Sequence, residues 1–166
     1  MADFALNFSR VAPMSPVGET DHPQREDREP MARVLVIDDE QDILVLCRLN
    51  LQRAGHEVLE ALDGRRGIEL AREHRPDAVV IDLMLPTIDG YDVLAALVRE
   101  RDAYDVALVV LTAKAREEDR LRSLANGADE FVTKPFSPDH LVGVLERLLR
   151  RRAERTIANA EPSPQT

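Results

Sequence analysis

Three short, uninterrupted aliphatic runs constrain this chain most: Val34-Leu35-Val36-Ile37, Ala78-Val79-Val80-Ile81 and Val106-Ala107-Leu108-Val109-Val110-Leu111. A strand with one face in water alternates apolar and polar residues. A strand that is apolar throughout must be covered on both faces, as in a parallel sheet under two layers of helices. Weaker strand patterns lie at 56–61 and 130–133. Between the runs the period changes. Leu44, Cys47, Leu51 and Ala54 share one helical face, with Gly55 placed to end the helix. Leu141, Val144, Leu145 and Leu148 do the same near the far end, and weaker helical patterns cover 64–74, 89–100 and 115–126, the last stopped by Gly127. Five strands thus alternate with five helices. Right-handed crossovers turn that order into a doubly wound α/β sandwich. In such sheets function gathers at the carboxyl ends of the strands.

The ends of the chain read differently. Residues 1–30 hold four of the ten prolines, show no apolar period, and run almost wholly polar from Asp21 to Glu29. Such a segment buries too little surface to offset its ordering entropy. Residues 1–31 are therefore expected to be a disordered extension, 32–152 the folded domain, and 153–166 a disordered tail too short and polar for a second domain. Arg147, Arg150, Arg151 and Arg152 then form a basic end to the last helix, which the helix dipole explains without nucleic acid. The net charge of −9 argues against non-specific binding to phosphate backbones. No stretch approaches a membrane span, and the N-terminus lacks a secretory pattern. One cysteine, Cys47, excludes an intrachain disulfide and a cysteine-rich metal site, and its place on an apolar face suggests an inert core thiol. These features fit a cytoplasmic protein.

Chemistry-bearing residues collect where the topology leads one to look. Asp38, Asp39 and Glu40 follow the first strand, Asp82 the third, Thr112 the fourth, and Lys134 with Pro135 the fifth. Each alone is commonplace: an acid after a strand is usually a helix cap, and a lone lysine a surface charge. Together they are not. Asp38, Asp39 and Asp82 would repel one another unless a cation bridged them. Oxygen donors without His or Cys favour Mg²⁺. A metal, a hydroxyl and an ammonium beside a carboxylate suit a phosphoryl group, with one carboxylate as nucleophile in an aspartyl phosphate.

Four stretches carry a family resemblance: VLVIDDE (34–40), DLMLPTIDG (82–90), LTAK (111–114) and FVTKPF (131–136). In this order they resemble the signatures of the response-regulator receiver domain of two-component systems. The resemblance spans 32–152 and implies a flavodoxin-like sheet of order 2-1-3-4-5. It implies that Asp82 is the phosphoacceptor. Mg²⁺ would be held by Asp39 and Asp82 directly, by Asp38 through water, and by the Met84 backbone carbonyl. Thr112 and Lys134 would assist the phosphoryl group, and Thr112 and Phe131 would form the switch. Phe131 stands where Tyr is frequent.

The function implied is phosphorylation-activated signalling rather than conventional enzymatic turnover. A histidine kinase or histidine phosphotransfer protein would supply the phosphoryl group. The face made by the fourth helix, fifth strand and fifth helix would then engage a downstream protein, without direct nucleic-acid or membrane binding. A phosphorelay shuttle that passes the phosphoryl group on is the alternative. A haloacid-dehalogenase-like phosphotransferase is disfavoured, because Leu83-Met84 follow Asp82 where that family needs a second acid two residues on. A flavodoxin-type phosphate loop is disfavoured by the acids at 38–40. Arg120, Asp129, Glu130 and Arg151 fall at positions that pair across dimers in related receivers, but His140 and Val144 replace the usual glutamate and arginine. A monomer, or a weak phosphorylation-dependent dimer, is expected.

Overall fold

The apolar runs become the strands of one sheet. The computed structural model describes residues 31–160. In it β1 (Arg33–Ile37), β2 (Glu57–Ala61), β3 (Ala78–Ile81), β4 (Ala107–Thr112) and β5 (Glu130–Thr133) run parallel in the order β2-β1-β3-β4-β5. The connections are α1 (Gln41–Arg53), α2 (Gly64–His74), α3 (Gly90–Glu100), α4 (Glu117–Ala125), and α5 (Pro138–Ala160) closes the chain. The doubly wound sheet and its order are those expected.

Period-two alternation divides the strand residues between two cores. Leu35, Ile37, Val79, Ile81, Leu108 and Val110 pack with Leu70, Ala71, Val93, Leu94 and Leu97 from α2 and α3. Val34, Val36, Ala78, Val80, Val109 and Leu111 pack with Leu44, Cys47 and Leu51 of α1 and Leu141, Val144 and Leu145 of α5. Each fully buried aliphatic side chain contributes roughly 1.5–3 kcal/mol. The two cores hold the sheet rigid under its carboxyl edge. Cys47 is buried, and desolvation pushes its thiol up to about 12, so it is unreactive as expected.

Local signals fix the helix ends. Gly55 adopts φ 98° just past α1, a conformation that a side chain would strain. Asp63 caps α2 by accepting from the Arg66 amide, and Asp89 caps α3 by accepting from the Tyr91 amide. Gly90 begins α3 against the chain that leaves β3: a Cβ there would lie 2.3 Å from the Leu83 Cα. Asp89-Gly90 is thus the start of α3. α4 is the least anchored element. Ser123 is its one buried residue, Leu121 is 55% exposed, and no side chain caps its N-terminus.

The largest departure from expectation is in α5. It does not stop at Arg152 but continues to Ala160. Arg152 is 8% exposed and pairs with Asp105 and Asp129, which clamps the helix well past the sheet. The arginines at 147–152 therefore lie inside the helix, and the last turn carries no basic residue, so the dipole does not explain them. The expected tail is thereby shortened. Residues 1–30 and 161–166 lie outside the described residues.

Candidate functional site

Strand register brings the polar residues together. Ile37 pairs with Ile81, so the next residues, Asp38 and Asp82, leave adjacent strands side by side. The Asp82 amide donates to the Ile37 carbonyl at 3.0 Å. Thr112 pairs with Thr133, and the Lys134 amide donates to the Thr112 carbonyl at 2.9 Å. The fifth strand thus delivers its lysine to the same edge as the aspartates.

Asp38 and Asp82 are 1% and 3% exposed. The Lys134 ammonium stands among three carboxylates: 2.7 Å from Asp38 Oδ2, 2.8 Å from Glu40 Oε1 and 2.9 Å from Asp82 Oδ2. The second Asp82 oxygen, Oδ1, accepts from the Met84 amide at 2.9 Å. Asp38 Oδ1 accepts from the Glu40 amide at 2.9 Å, the turn that carries β1 into α1. Burial pushes the Asp38 carboxyl above its ordinary range, against the pull of Lys134 and the Glu40 amide. Burial alone would lower Lys134, but its bonds to Asp38, Glu40 and Asp82 hold it above the usual lysine range. The peptide between Lys134 and Pro135 is cis.

Not every expected residue joins this cluster. Carboxylate oxygens of Asp38, Glu40 and Asp82 lie within 4.8 Å of one another, while Asp39 is exposed and outside the group. Glu40, one of the three acids after the first strand but not named as a ligand, reaches the site through Lys134. Its link spans 94 positions in sequence, so no local pattern shows it. Met84 touches Asp82 through its amide, and its side chain is 53% exposed. Thr112 is fully buried at the end of β4, and its Oγ1 accepts from the Lys114 amide at 3.3 Å. Phe131 is half-buried against the α2/α3 core.

The donor set tests whether a hard divalent cation fits. It is all oxygen, and one oxygen from each of its three carboxylates lies within 4.8 Å of the others. Hard oxygen donors of this kind, few in number and with room for waters, are what Mg²⁺ takes. Three carboxylates against one ammonium leave two negative charges, which a single divalent cation would balance.

A family model described as the response regulator receiver domain matches residues 34–146. The chain is 41% identical over 129 residues to the transcriptional regulatory protein PrrA of Mycobacterium tuberculosis, covering 78% of this chain and 54% of that protein. It is 39% identical over 121 residues to the DNA-binding dual master transcriptional regulator RpaA of Synechocystis, covering 73% and 50%. The chain thus spans about half the length of these curated relatives. Among solved structures it resembles a CheY-like receiver domain protein from Methanospirillum hungatei, with TM-score 0.70, 25% identity, and 74% and 97% of the two chains covered. It also resembles the chemotaxis response regulator CheY4 of Vibrio cholerae, with TM-score 0.66, 31% identity, and 71% and 98% covered. Motifs, strand order, carboxyl-edge cluster and relatives agree, and the chain belongs to the response regulator receiver family.

Proposed function

We propose that Asp82 accepts a phosphoryl group from a histidine kinase or histidine phosphotransfer protein and that the modified domain signals through the face formed by α4, β5 and α5. An Asp82 carboxylate oxygen attacks phosphorus, the P–N bond of the phosphohistidine breaks, and an acyl phosphate forms. Asp38, Asp39 and Asp82, with the Met84 carbonyl, would hold Mg²⁺, and Glu40 stands close enough to join them. The metal, when bound, supplies positive charge that offsets the phosphoryl oxygens. Lys134, now shared among three carboxylates, pairs with a phosphoryl oxygen instead.

What carries this reading is the Asp82 carboxylate itself. It is buried at the carboxyl end of β3, with one oxygen tied by the Met84 amide and the other by the Lys134 ammonium. The nucleophile is oriented and its charge compensated before any substrate arrives. Thr112 then donates its hydroxyl to the phosphoryl group, and Phe131 turns into the space it vacates. Because Phe131 is already half-buried, full burial contributes less than the ~1.5–3 kcal/mol of a wholly exposed ring.

The test is a titration with beryllofluoride and Mg²⁺ followed by amide chemical shifts. Shifts are expected at the site and across α4, β5 and α5. Thr112→Ala should keep the site shifts and lose the distant ones. A full wild-type pattern in Thr112→Ala would refute the coupling.

A further inference from the structure

α4 carries the signalling face, yet it buries a single residue of its own, Ser123. Much of its side-chain anchorage comes from one ring on α3. Tyr91 is 8% exposed. Its hydroxyl lies 3.3 Å from Asp119 Oδ1 and 3.5 Å from the Asp119 carbonyl, in the first turn of α4. Ser123 Oγ donates to that same carbonyl at 2.7 Å. The Arg122 guanidinium stacks 3.9 Å from the ring centroid. The Lys114 ammonium, from the loop between β4 and α4, lies 5.6 Å from it. Among the described residues neither Arg122 nor Lys114 forms an ion pair, so the ring is the partner both cations have.

These contacts join two parts of the switch. Lys114 is two residues from Thr112, and its amide already donates to the Thr112 hydroxyl oxygen. α4 starts three residues after Lys114. Any movement of Thr112 toward Asp82 drags this loop, and with it the contacts that Tyr91 makes on both sides.

We propose that Tyr91 is a positioning residue, a latch that holds the loop of Thr112–Lys114 and the first turn of α4 in their unphosphorylated arrangement and so sets how readily the domain switches. This rests on the phosphoacceptor reading of Asp82. The latch opposes activation: what it contributes in the resting arrangement must be lost when Thr112 moves. Weakening it raises the fraction of molecules in the active arrangement, and the affinity for a phosphoryl mimic rises in proportion. Burial pushes the Tyr91 hydroxyl further above its ordinary range, which already leaves it protonated and able to donate near neutral pH.

The experiment uses the full chain and measures the apparent affinity for beryllofluoride with Mg²⁺, alongside amide shifts of α4 without it. Tyr91→Leu removes hydroxyl and ring together. It should bind the mimic about fivefold tighter or more, with its unmodified α4 signals already displaced toward the activated positions. Tyr91→Phe removes only the hydroxyl and should give a smaller change of the same sign. Arg122→Gln, at an exposed position, keeps the test available if Tyr91→Leu does not fold. A merely structural tyrosine would lower the melting temperature without moving the affinity. If all three variants bind within twofold of wild type with unmoved α4 signals, the latch is refuted while the Asp82 reading stands. If wild type itself shows no response to the mimic, both fail.

Discussion

Gly90 and Gly143 offer one chemical change with two opposite outcomes. Alanine at Gly143, inside α5, would place its Cβ 3.7 Å from the nearest atom, Arg147 Nη1, which is ordinary contact. The gain in helix propensity is then unopposed and should stabilise the domain by about 1 kcal/mol. Alanine at Gly90 would place its Cβ 2.3 Å from the Leu83 Cα, 2.7 Å from the Leu83 carbonyl oxygen and 2.8 Å from that of Asp82. These are backbone atoms, which cannot swing aside as a side-chain tip can. The cost is that of overpacking at its upper end, roughly 3 kcal/mol or more, against a propensity gain of at most about 1. The displaced backbone includes the Asp82 carbonyl, so under the proposed role of Asp82 function should suffer in the folded fraction too. Urea unfolding of both variants checks the signs. Gly90→Ala should fall by ~2 kcal/mol or more and phosphorylate more slowly even where fully folded, while Gly143→Ala should rise. A Gly90→Ala protein as stable as wild type would refute the idea that this approach is fixed.

Three further outcomes are expected. His56 is 4% exposed, and burial depresses its pKa against the pull of Glu146 and Asp77. Its neutral form therefore stabilises the fold above the ordinary histidine pKa of about 6.5, and that contribution is lost as pH falls through the depressed value. Between about pH 6.5 and that depressed value, melting temperature should drop less steeply in His56→Phe than in wild type, and parallel slopes across that window would contradict this. Arg152→Ala unpairs Asp105 and removes one of two guanidinium partners from Asp129, at a cost of about 1–3 kcal/mol. Amide exchange along 153–160 should accelerate more than along 138–148. The unmodified protein should scatter light as a monomer, because Asp129 is engaged by Arg101, Arg152 and the Leu108 amide, and Arg120 by Glu117.

The legible parts of this chain are those where the cause is local. Val106 to Leu111 could only be a strand covered on both sides, and the carboxyl-edge residues followed from where such strands end. Pairing partners distant in sequence were not legible. Along 153–160 the apolar residues Ala153 and Ile157 are exposed, so no buried face marks the helix. Just before it, Arg152 fastens α5 to Asp129 on the chain entering β5 and to Asp105 on the chain entering β4. Glu40 reaches the cluster through a lysine on the far strand. Tyr91 finds its partners, Asp119 and Arg122, on α4, about 30 positions away, where no local pattern shows them.

Phosphorylation of Asp82 is tested most directly by intact mass after incubation with Mg²⁺ and acetyl phosphate. Wild type should gain one phosphoryl group, hydroxylamine should remove it, and Asp82→Asn should gain essentially none. Chelating the metal should suppress labelling of wild type. An Asp82→Asn protein that labels as fully as wild type would contradict the account at its centre.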